Sequence, residues 1–155
     1  MKIIFLDIDG VLNDAPTIME KDDDLPAEPH LSCLKQIVDA TGAEIVLSST
    51  WRLFPQSRND VRNKLKTVGL QFIDRTKELR DRDTEIREWL SRHPEVERYV
   101  ILDDETEFSQ ELTAHQVITT FYEGLLPKHV PQAIEILNSG EEKSAKLDAE
   151  AQKDE

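Results

Sequence analysis

The sequence predicts an α/β domain in which a mainly parallel sheet lies between two layers of helices. Short apolar runs of strand type alternate with amphipathic stretches, the order typical of a parallel sheet covered by helices. A length of 155 residues suits one domain with a sizeable core. Three of the apolar runs end in acids or hydroxyls. Together these observations favour a three-layer α/β/α architecture.

The first part of the chain predicts two strands with a helix between them. Residues 2–8 (KIIFLDI) form a buried strand that stops at Asp-Gly. Residues from about 14 to 29 are polar and contain three prolines, which predicts a short flap and no large cap. Apolar residues then recur at helical spacing over 31–38, and Gly42 ends this helix. The second strand follows at once, at 43–49.

The middle of the chain continues the alternation. Residues 56–68 predict a helix that ends at Gly69, and residues 70–74 (LQFID) have strand composition. A charged connection leads to a further helix, for which Asp83 or Thr84 is the expected cap.

The last part of the chain predicts two more strands and a helix. Residues 98–104 (RYVILDD) form a strand that ends on two carboxylates, and 115–121 form a weaker strand. A last helix is indicated by Val130, Ile134 and Leu137. The domain is therefore assigned to residues 1–138, and residues 139–155, with little apolar content, to an acidic and mobile tail.

The charge of the chain limits its expected partners. Its 32 acidic and 19 basic residues give a formal charge of −13, which repels phosphate backbones and anionic membranes at long range. The charge therefore disfavours binding along an extended nucleic acid, but it does not exclude binding of a nucleic-acid terminus. A single cysteine, Cys33, and the absence of a long apolar run predict a cytoplasmic protein without a membrane span. We expect a monomer.

Polar side chains end three of the predicted strands. Asp7 and Asp9 end the first, Ser48 the second, and Asp103 and Asp104 the fourth. In an open parallel sheet these ends lie along one edge, where ligands bind. Clustered carboxylates repel one another unless a cation lies between them, and Mg²⁺ prefers such oxygen ligands. The alternative, that Asp7 and Asp9 only form a turn, leaves acids at the end of a very apolar strand.

These motifs resemble the haloacid dehalogenase-like (HAD) superfamily, which has D-x-D-G-V after an N-terminal strand, a strand ending in Ser and a later strand ending in Asp-Asp. Within it, FLDIDGVLN, VLSSTWR, EIREWL and YVILDD resemble the small capless HAD domains related to Swiss army knife RNA-repair proteins. The resemblance covers roughly residues 1–137 and implies a Rossmann-like HAD fold.

The resemblance also implies a phosphatase mechanism. Asp7 would attack phosphorus to form an aspartyl-phosphate, and Asp9 would act as general acid and base. Ser48 would donate a hydrogen bond to the phosphate. Mg²⁺ would be held by Asp7, the backbone carbonyl of Asp9 and Asp103. Asp104 either belongs to the metal site, as a group that orients the ligands or as a ligand through water, or caps a helix.

A basic residue beside the nucleophile is implied by the family but not identified by a motif. Arg82 is the first choice because it comes just before the EIREWL helix. Its rivals are Arg80, Lys77, Lys64 and Lys66. If the absence of this residue means that turnover is lost, a noncatalytic HAD-like module is favoured.

Four further residues are candidates for binding substrate: Asn13, Ser49, Trp51 and Arg52. Trp51 beside Arg52 can stack a base or sugar and bind a second phosphate. Equally, Trp51 packs under the loop and Arg52 pairs with an acidic neighbour. The four histidines have no metal-ligand spacing and are interpreted as surface or packing residues: His30, His93, His115 and His129.

The resulting hypothesis is a magnesium-dependent phosphomonoester hydrolase. Without a cap, an open pocket suits a nucleotide, a nucleic-acid end or another large phosphoester. One alternative is a noncatalytic HAD-like phosphate-binding or regulatory module. Another is a receiver-type phosphoacceptor domain, which has no need for the acid/base that the D-x-D pair supplies.

Overall fold

The five predicted strands form one sheet in the computed structural model, which describes residues 1–139. The strands are β1 (Lys2–Leu6), β2 (Glu44–Leu47), β3 (Phe72–Arg75), β4 (Arg98–Asp103) and β5 (Gln116–Ile118). Their order is β3-β2-β1-β4-β5, and every neighbouring pair is parallel. This is the Rossmann-like α/β architecture that the sequence predicts. Apart from Ser139, the predicted tail lies outside the described residues.

Six α-helices accompany the sheet in the described part of the chain. They are α1 (Ala15–Lys21), α2 (Glu28–Thr41), α3 (Pro55–Lys66), α4 (Arg82–Ser91), α5 (Gln110–Thr113) and α6, which occupies residues 129–139. A 3₁₀ helix, Thr50–Leu53, links β2 to α3. None of the described helices is both long and apolar enough to cross a membrane.

Both faces of the sheet are covered, because successive side chains of a strand point to opposite sides. Ile4 and Leu6 of β1 pack in the core that α2, α3 and α6 cover. Ile3 and Phe5 pack in the core on the other face, beneath α4 and α5. These four of the five β1 side chains are fully buried, as the continuous apolar run of a parallel central strand predicts. The three-layer prediction is confirmed.

Two local predictions differ from the structure. The predicted flap contains the short helix α1, whose cap is Asp14, and its last residues belong to α2. Periodicity did not indicate α1, because none of its residues is buried. The cap of α4 is Asp81, not Asp83 or Thr84, and its carboxylate accepts a hydrogen bond from the Thr84 amide at 2.8 Å. Arg82 is therefore the first residue of α4.

The fold brings the polar strand ends to one edge of the sheet. Leu6, the last residue of β1, is paired with Leu47 of β2 and Leu102 of β4. The residues that follow these positions, Asp7, Ser48 and Asp103, therefore lie side by side at the carboxyl edge of the sheet.

Candidate active site

Three carboxylates converge at the carboxyl ends of β1 and β4. Asp7, Asp103 and Asp104 each contribute an oxygen atom, and these oxygens lie within 4.8 Å of one another. Asp7 is 4% exposed and Asp103 is fully buried. Their backbones are held by the sheet, since the Asp7 amide donates to the Leu102 carbonyl at 3.1 Å. We call Asp7, Asp103 and Asp104 the acid cluster.

Arg82 is the cation that contacts the acid cluster. Its Nη1 lies 2.9 Å from Asp103 Oδ2 and 3.4 Å from Asp7 Oδ2. The side chain starts from the first residue of α4 and is only 16% exposed. Burial disfavours its charge, but the carboxylates of Asp7 and Asp103 outweigh burial and raise the pKa of Arg82 above its ordinary value. The guanidinium therefore stays positive beside the acids.

The acid cluster remains short of positive charge despite Arg82. Burial and the charge of Asp103 raise the pKa of Asp7 well above its ordinary value, although Arg82 opposes the shift. Burial and Asp103 also raise the pKa of Asp104. Both shifts have the physical cause expected where carboxylates are crowded away from water.

The donor set of the acid cluster fits a hard divalent cation. Its members offer only carboxylate oxygens, which are the ligands that Mg²⁺ prefers, and a cation would relieve the repulsion that raises the pKa of Asp7 and Asp104. Asp104 caps no helix in the described chain, where the next helix, α5, begins at Gln110 with Ser109 as its cap. The ligand role of Asp104 therefore fits better than the cap role.

Gly10 makes room for the Asp104 carboxylate. Its φ is +80°, a left-handed conformation, and a Cβ at this position would overlap Asp104 Oδ2. The Gly10 carbonyl also accepts a hydrogen bond from the Thr119 hydroxyl at the end of β5. This hydrogen bond fastens the loop after β1 to the end of β5.

Asp9 is held by hydrogen bonds to one of its two oxygens. Oδ1 accepts from Asn13 Nδ2 at 2.9 Å and from the Trp51 indole at 3.2 Å. Asn13 is 1% exposed, and it also accepts from the Gly10 amide and donates to the Asp24 carbonyl. Asn13 thus orients Asp9, and its contact with substrate stays a prediction.

Ser48 places an unpaired hydroxyl at the end of β2. The residue is fully buried, and its Oγ has no hydrogen-bond partner among the described residues. A buried hydroxyl without a partner is uncommon and needs a physical explanation. A phosphate oxygen bound beside Asp7 is one such partner.

Ser49 and Trp51 start the 3₁₀ helix that follows β2. Ser49 is fully buried and its Oγ accepts from the Trp51 amide at 3.2 Å, so it serves as the cap. The contact of Ser49 with substrate stays a prediction. Trp51 is partly exposed and, with Phe54, lines a small cleft of about 260 Å³ beside Asp9.

Arg52 is buried, with 1% exposure. Its donors bond the carbonyls of Ser48, Ser49, Thr76 and Lys77 and the carboxylate of Glu85 at 2.7 Å. All five guanidinium N–H groups are therefore used. Pairing with an acidic neighbour, the alternative considered for Arg52, is the arrangement found.

The rivals of Arg82 lie away from the acid cluster. Arg80 is exposed and pairs with Asp81, while Lys77 lies 3.4 Å from Glu88. Lys64 and Lys66 are in the last turn of α3. None of these contacts Asp7, and none of the four histidines is part of the acid cluster.

Two residues with clear structural roles were not singled out by the sequence. Glu85 is 7% exposed and accepts from both Arg52 and the Leu79 amide. Thr76 is 3% exposed, and its carbonyl accepts from Arg52. The only sequence signal for Glu85 is its place in the first turn of a helix, where acids are common for reasons of the helix dipole alone.

Comparison with protein families identifies the relationship. Residues 3–130 match the model of the HAD domain in Swiss Army Knife RNA repair proteins. Comparisons with curated proteins and with solved structures give no match. The family match covers most of the chain and includes the acid cluster, Ser48 and Arg82. The chain therefore belongs to the family of HAD domains found in Swiss Army Knife RNA repair proteins.

Proposed function

We propose that this domain is a magnesium-dependent phosphomonoester hydrolase that works through an aspartyl-phosphate on Asp7. Membership of the HAD family supports a phosphoesterase-like function. The observation that carries the proposal is the position of the Asp7 carboxylate, which lies in the acid cluster and contacts Arg82 at 3.4 Å. A buried carboxylate between further acids and an arginine is suited to transfer of a charged phosphoryl group.

In the first step Asp7 attacks phosphorus, and the bond from phosphorus to the leaving oxygen breaks. Ser48 and Arg82 are placed to bind the oxygens of the phosphoryl group, since Ser48 Oγ lacks another partner and Arg82 already contacts Asp7. Asp9 gives its proton to the leaving oxygen. That proton is best placed on Oδ2, because Oδ1 accepts from Asn13 and Trp51.

In the second step Asp9 takes a proton from water, and this water attacks phosphorus to release phosphate and regenerate Asp7. The cation, held by Asp7, Asp103 and Asp104, would supply charge neutralisation for the phosphoryl oxygens. The short flap and the lack of a cap leave the site open, so a nucleotide, a nucleic-acid end or another large phosphoester is the proposed substrate class.

The test measures phosphate release by the wild type, Asp7→Asn and Asp9→Asn with and without Mg²⁺. The panel contains nucleotides, sugar phosphates and oligonucleotides with a 3′- or 5′-phosphate. We expect no turnover by Asp7→Asn and a loss of about 10²–10⁴-fold in kcat for Asp9→Asn, as for removal of a general acid and base. Asp39→Asn, an exposed carboxylate on α2 paired with Lys35, is the matched control and keeps full activity.

Undiminished release by Asp7→Asn would exclude Asp7 as the nucleophile. A wild type that binds Mg²⁺ but stays inert on the whole panel would favour the noncatalytic phosphate-binding module, the second candidate function. Equal turnover with Mg²⁺ and with a chelator would remove the cation from the proposal.

A further inference from the structure

A groove of about 650 Å³ lies beside the carboxyl end of β3, separate from the acid cluster. Positive side chains dominate its lining, although the chain as a whole has a formal charge of −13. The charged residues among those that line it are Arg52, Arg58, Asp74, Arg75, Lys77, Glu78 and Arg92. We call it the β3 groove.

Two arginines of the β3 groove have no acidic partner. Within residues 1–139, no carboxylate forms an ion pair with Arg58 or Arg75, whereas Lys77 and Arg92 share the carboxylate of Glu88. Arg58 and Arg75 instead converge on one backbone oxygen. The Nη1 atoms of both donate to the Arg52 carbonyl, at 2.8 and 2.9 Å.

This arrangement concentrates uncompensated positive charge. Burial and the charges of Arg75 and Arg62 lower the pKa of Arg58. Arg62, one turn further along α3, also forms no ion pair with the described residues and packs over the Phe72 ring at 5.1 Å. Like charges held together repel one another, and a bound anion relieves that repulsion. The planar guanidinium matches the geometry of phosphate oxygens.

Thr76 adds a neutral donor to the same lining. It is 3% exposed, lines the β3 groove, and its Oγ1 has no hydrogen-bond partner among the described residues. The position of Thr76 is fixed, because its amide donates to the Leu47 carbonyl and its own carbonyl accepts from Arg52. A buried hydroxyl without a partner thus lies beside the two unpaired arginines.

The β3 groove is within reach of a substrate bound at Asp7. β3 is two strands from β1, a separation of about 10 Å. A second cleft, of about 430 Å³, shares Arg52 and Leu53 with the β3 groove and is also lined by Arg82. Because Arg82 contacts Asp7, the second cleft has one wall in common with the β3 groove and another beside the acid cluster.

We propose that Arg58 and Arg75 form a subsite for a second phosphate group of the substrate, one that is bound but not hydrolysed. This inference rests on the proposed function and narrows its substrate class to molecules with two phosphates. The second phosphate is either the internal phosphodiester of a short oligonucleotide or another phosphomonoester of a small bisphosphate. In both cases the phosphate bonded to the guanidinium groups sets the orientation of the substrate.

The kinetic test compares three substrates that carry the same terminal phosphate: a mononucleotide, a dinucleotide and a nucleoside bisphosphate. We expect the wild type to favour at least one two-phosphate substrate in kcat/KM. Arg58→Gln and Arg75→Gln lower this preference about tenfold or more, as expected for loss of a hydrogen bond to a charged group. Arg75→Lys, which keeps the charge, retains part of it. The dinucleotide and bisphosphate arms distinguish the two sources of the second phosphate.

Lys66→Gln is the matched control, because it removes one positive charge from the same helix. Lys66 is exposed and lies eight residues from Arg58, about 12 Å along α3. We expect Lys66→Gln to leave the preference for a two-phosphate substrate unchanged. If Arg58→Gln and Arg75→Gln keep the full preference for a two-phosphate substrate, the subsite is overturned. This holds even where the mononucleotide is hydrolysed.

A binding experiment separates failure of the subsite from failure of the proposed function. Titration calorimetry measures the Kd of the dinucleotide and of the bisphosphate for the wild type and the Arg58→Gln, Arg75→Gln double variant, with circular dichroism to confirm folding. If the double variant loses binding and the wild type shows no turnover, the subsite is supported and the proposed hydrolase function is contradicted. Equal Kd values for the two proteins overturn the subsite.

Discussion

Asp7 and Asp9 are two residues apart but have different surroundings. Asp7 lies among carboxylates at 4% exposure, and its nearest cation is Arg82. Asp9 is partly exposed and accepts hydrogen bonds from Asn13 and Trp51. Burial and the charge of Asp103 raise the pKa of Asp7, so a deprotonated Asp7 at phosphorus needs positive charge beside it, which Arg82 and a bound cation would supply.

The backbone at Gly10 approaches the Asp104 carboxylate closely, and substitution of Gly10 tests this close approach. Alanine at a left-handed position costs about 1–2 kcal/mol. Gly10→Ala adds an overlap with Asp104 to that cost and displaces a proposed cation ligand. We expect the free energy of unfolding in urea to fall by more than the backbone cost alone, and Mg²⁺ affinity to fall with it.

Gly42→Ala supplies the control for this experiment. Gly42 has a similar φ of +71°, but a Cβ there meets no atom within 4 Å. Gly42→Ala therefore has the free-energy cost of a left-handed alanine but no overlap with another side chain. Equal losses of stability for Gly10→Ala and Gly42→Ala, with equal Mg²⁺ affinity, would contradict the close approach of Gly10 to Asp104.

Sequence patterns predicted which acids meet but not which polar groups support them. The motif and the strand ends indicated the members of the acid cluster, because parallel topology brings these positions together. Asn13 and Arg52 were both predicted to contact substrate, and the sequence did not indicate the hydrogen bonds that both form with the protein. The partners of Arg52 include Thr76 and Glu85, which are far from it in the chain, so no local pattern reveals that its donors are used.

At the scale of elements, the Arg52–Glu85 pair joins the loops after β2 and β3 to the first turn of α4. Glu85 is three residues from Arg82, so this contact also fixes the helix turn that presents Arg82 to Asp7. Both side chains of the pair are at most 9% exposed. Removal of one partner of such a pair is destabilising, because it leaves the other charge buried and uncompensated.

Glu85→Gln tests the contact with a nearly isosteric change. It leaves the Arg52 charge buried without a counter-ion, which costs about 3–5 kcal/mol when one partner of a buried pair is removed. We expect a loss of this size in urea unfolding and, in the folded enzyme, a lower kcat with little change in KM. Glu88→Gln is the control on the same helix, where a more exposed pair with Arg92 contributes little.

A result in which Glu85→Gln and Glu88→Gln are equally stable would show that Arg52 finds other compensation. Restored kcat in a folded Glu85→Asp variant would instead support the positioning role, because that variant keeps the charge.

The strands were easier to predict than the flap. β1 and β4 are continuous apolar runs that are buried on both faces, and such a run is typical of a strand inside a parallel sheet. The helix α1 buries no residue, so its sequence shows no apolar stripe, and its cap Asp14 became evident only from the structure. The position of α4 was predicted, but its start was not, because Asp81, Asp83 and Thr84 are all suitable caps.

At the scale of the whole molecule, Asp14 and His30 connect three distant segments. His30 Nε2 lies 2.6 Å from Asp14 Oδ2, and Nδ1 lies 2.8 Å from the Leu125 carbonyl. Both ring nitrogens face acceptors, so the pair is fully bonded when the ring carries two protons. The start of α1, the start of α2 and the loop before α6 are held by this single imidazole.

The pair predicts an acid dependence of stability. Burial opposes the shift, but hydrogen bonds from His30 and Thr17 lower the pKa of Asp14 below its ordinary value. A lowered pKa contributes stability above the unfolded-state value, about 3.9, and the contribution is lost as the pH falls through the lower folded-state pKa. We expect Asp14→Asn to be less stable than the wild type at neutral pH, with a difference that disappears in acid.

Urea unfolding of both proteins from about pH 3 to about pH 8 measures this difference. Asp39→Asn, which removes an exposed carboxylate on α2, is the control and follows the wild type throughout. A difference between Asp14→Asn and the wild type that stays constant below pH 4 would contradict the assignment.

The contact of Arg82 with Asp7 and Asp103 affects the order in which the domain folds and binds a metal ion. Small metal-dependent domains whose ligands have no other counter-charge unfold when the metal is removed. Here an internal arginine already offsets part of the repulsion among the acids. We therefore expect the chain to reach its folded form before it meets a cation. Under the proposed function, magnesium supply would then govern when the domain is active, not whether it folds.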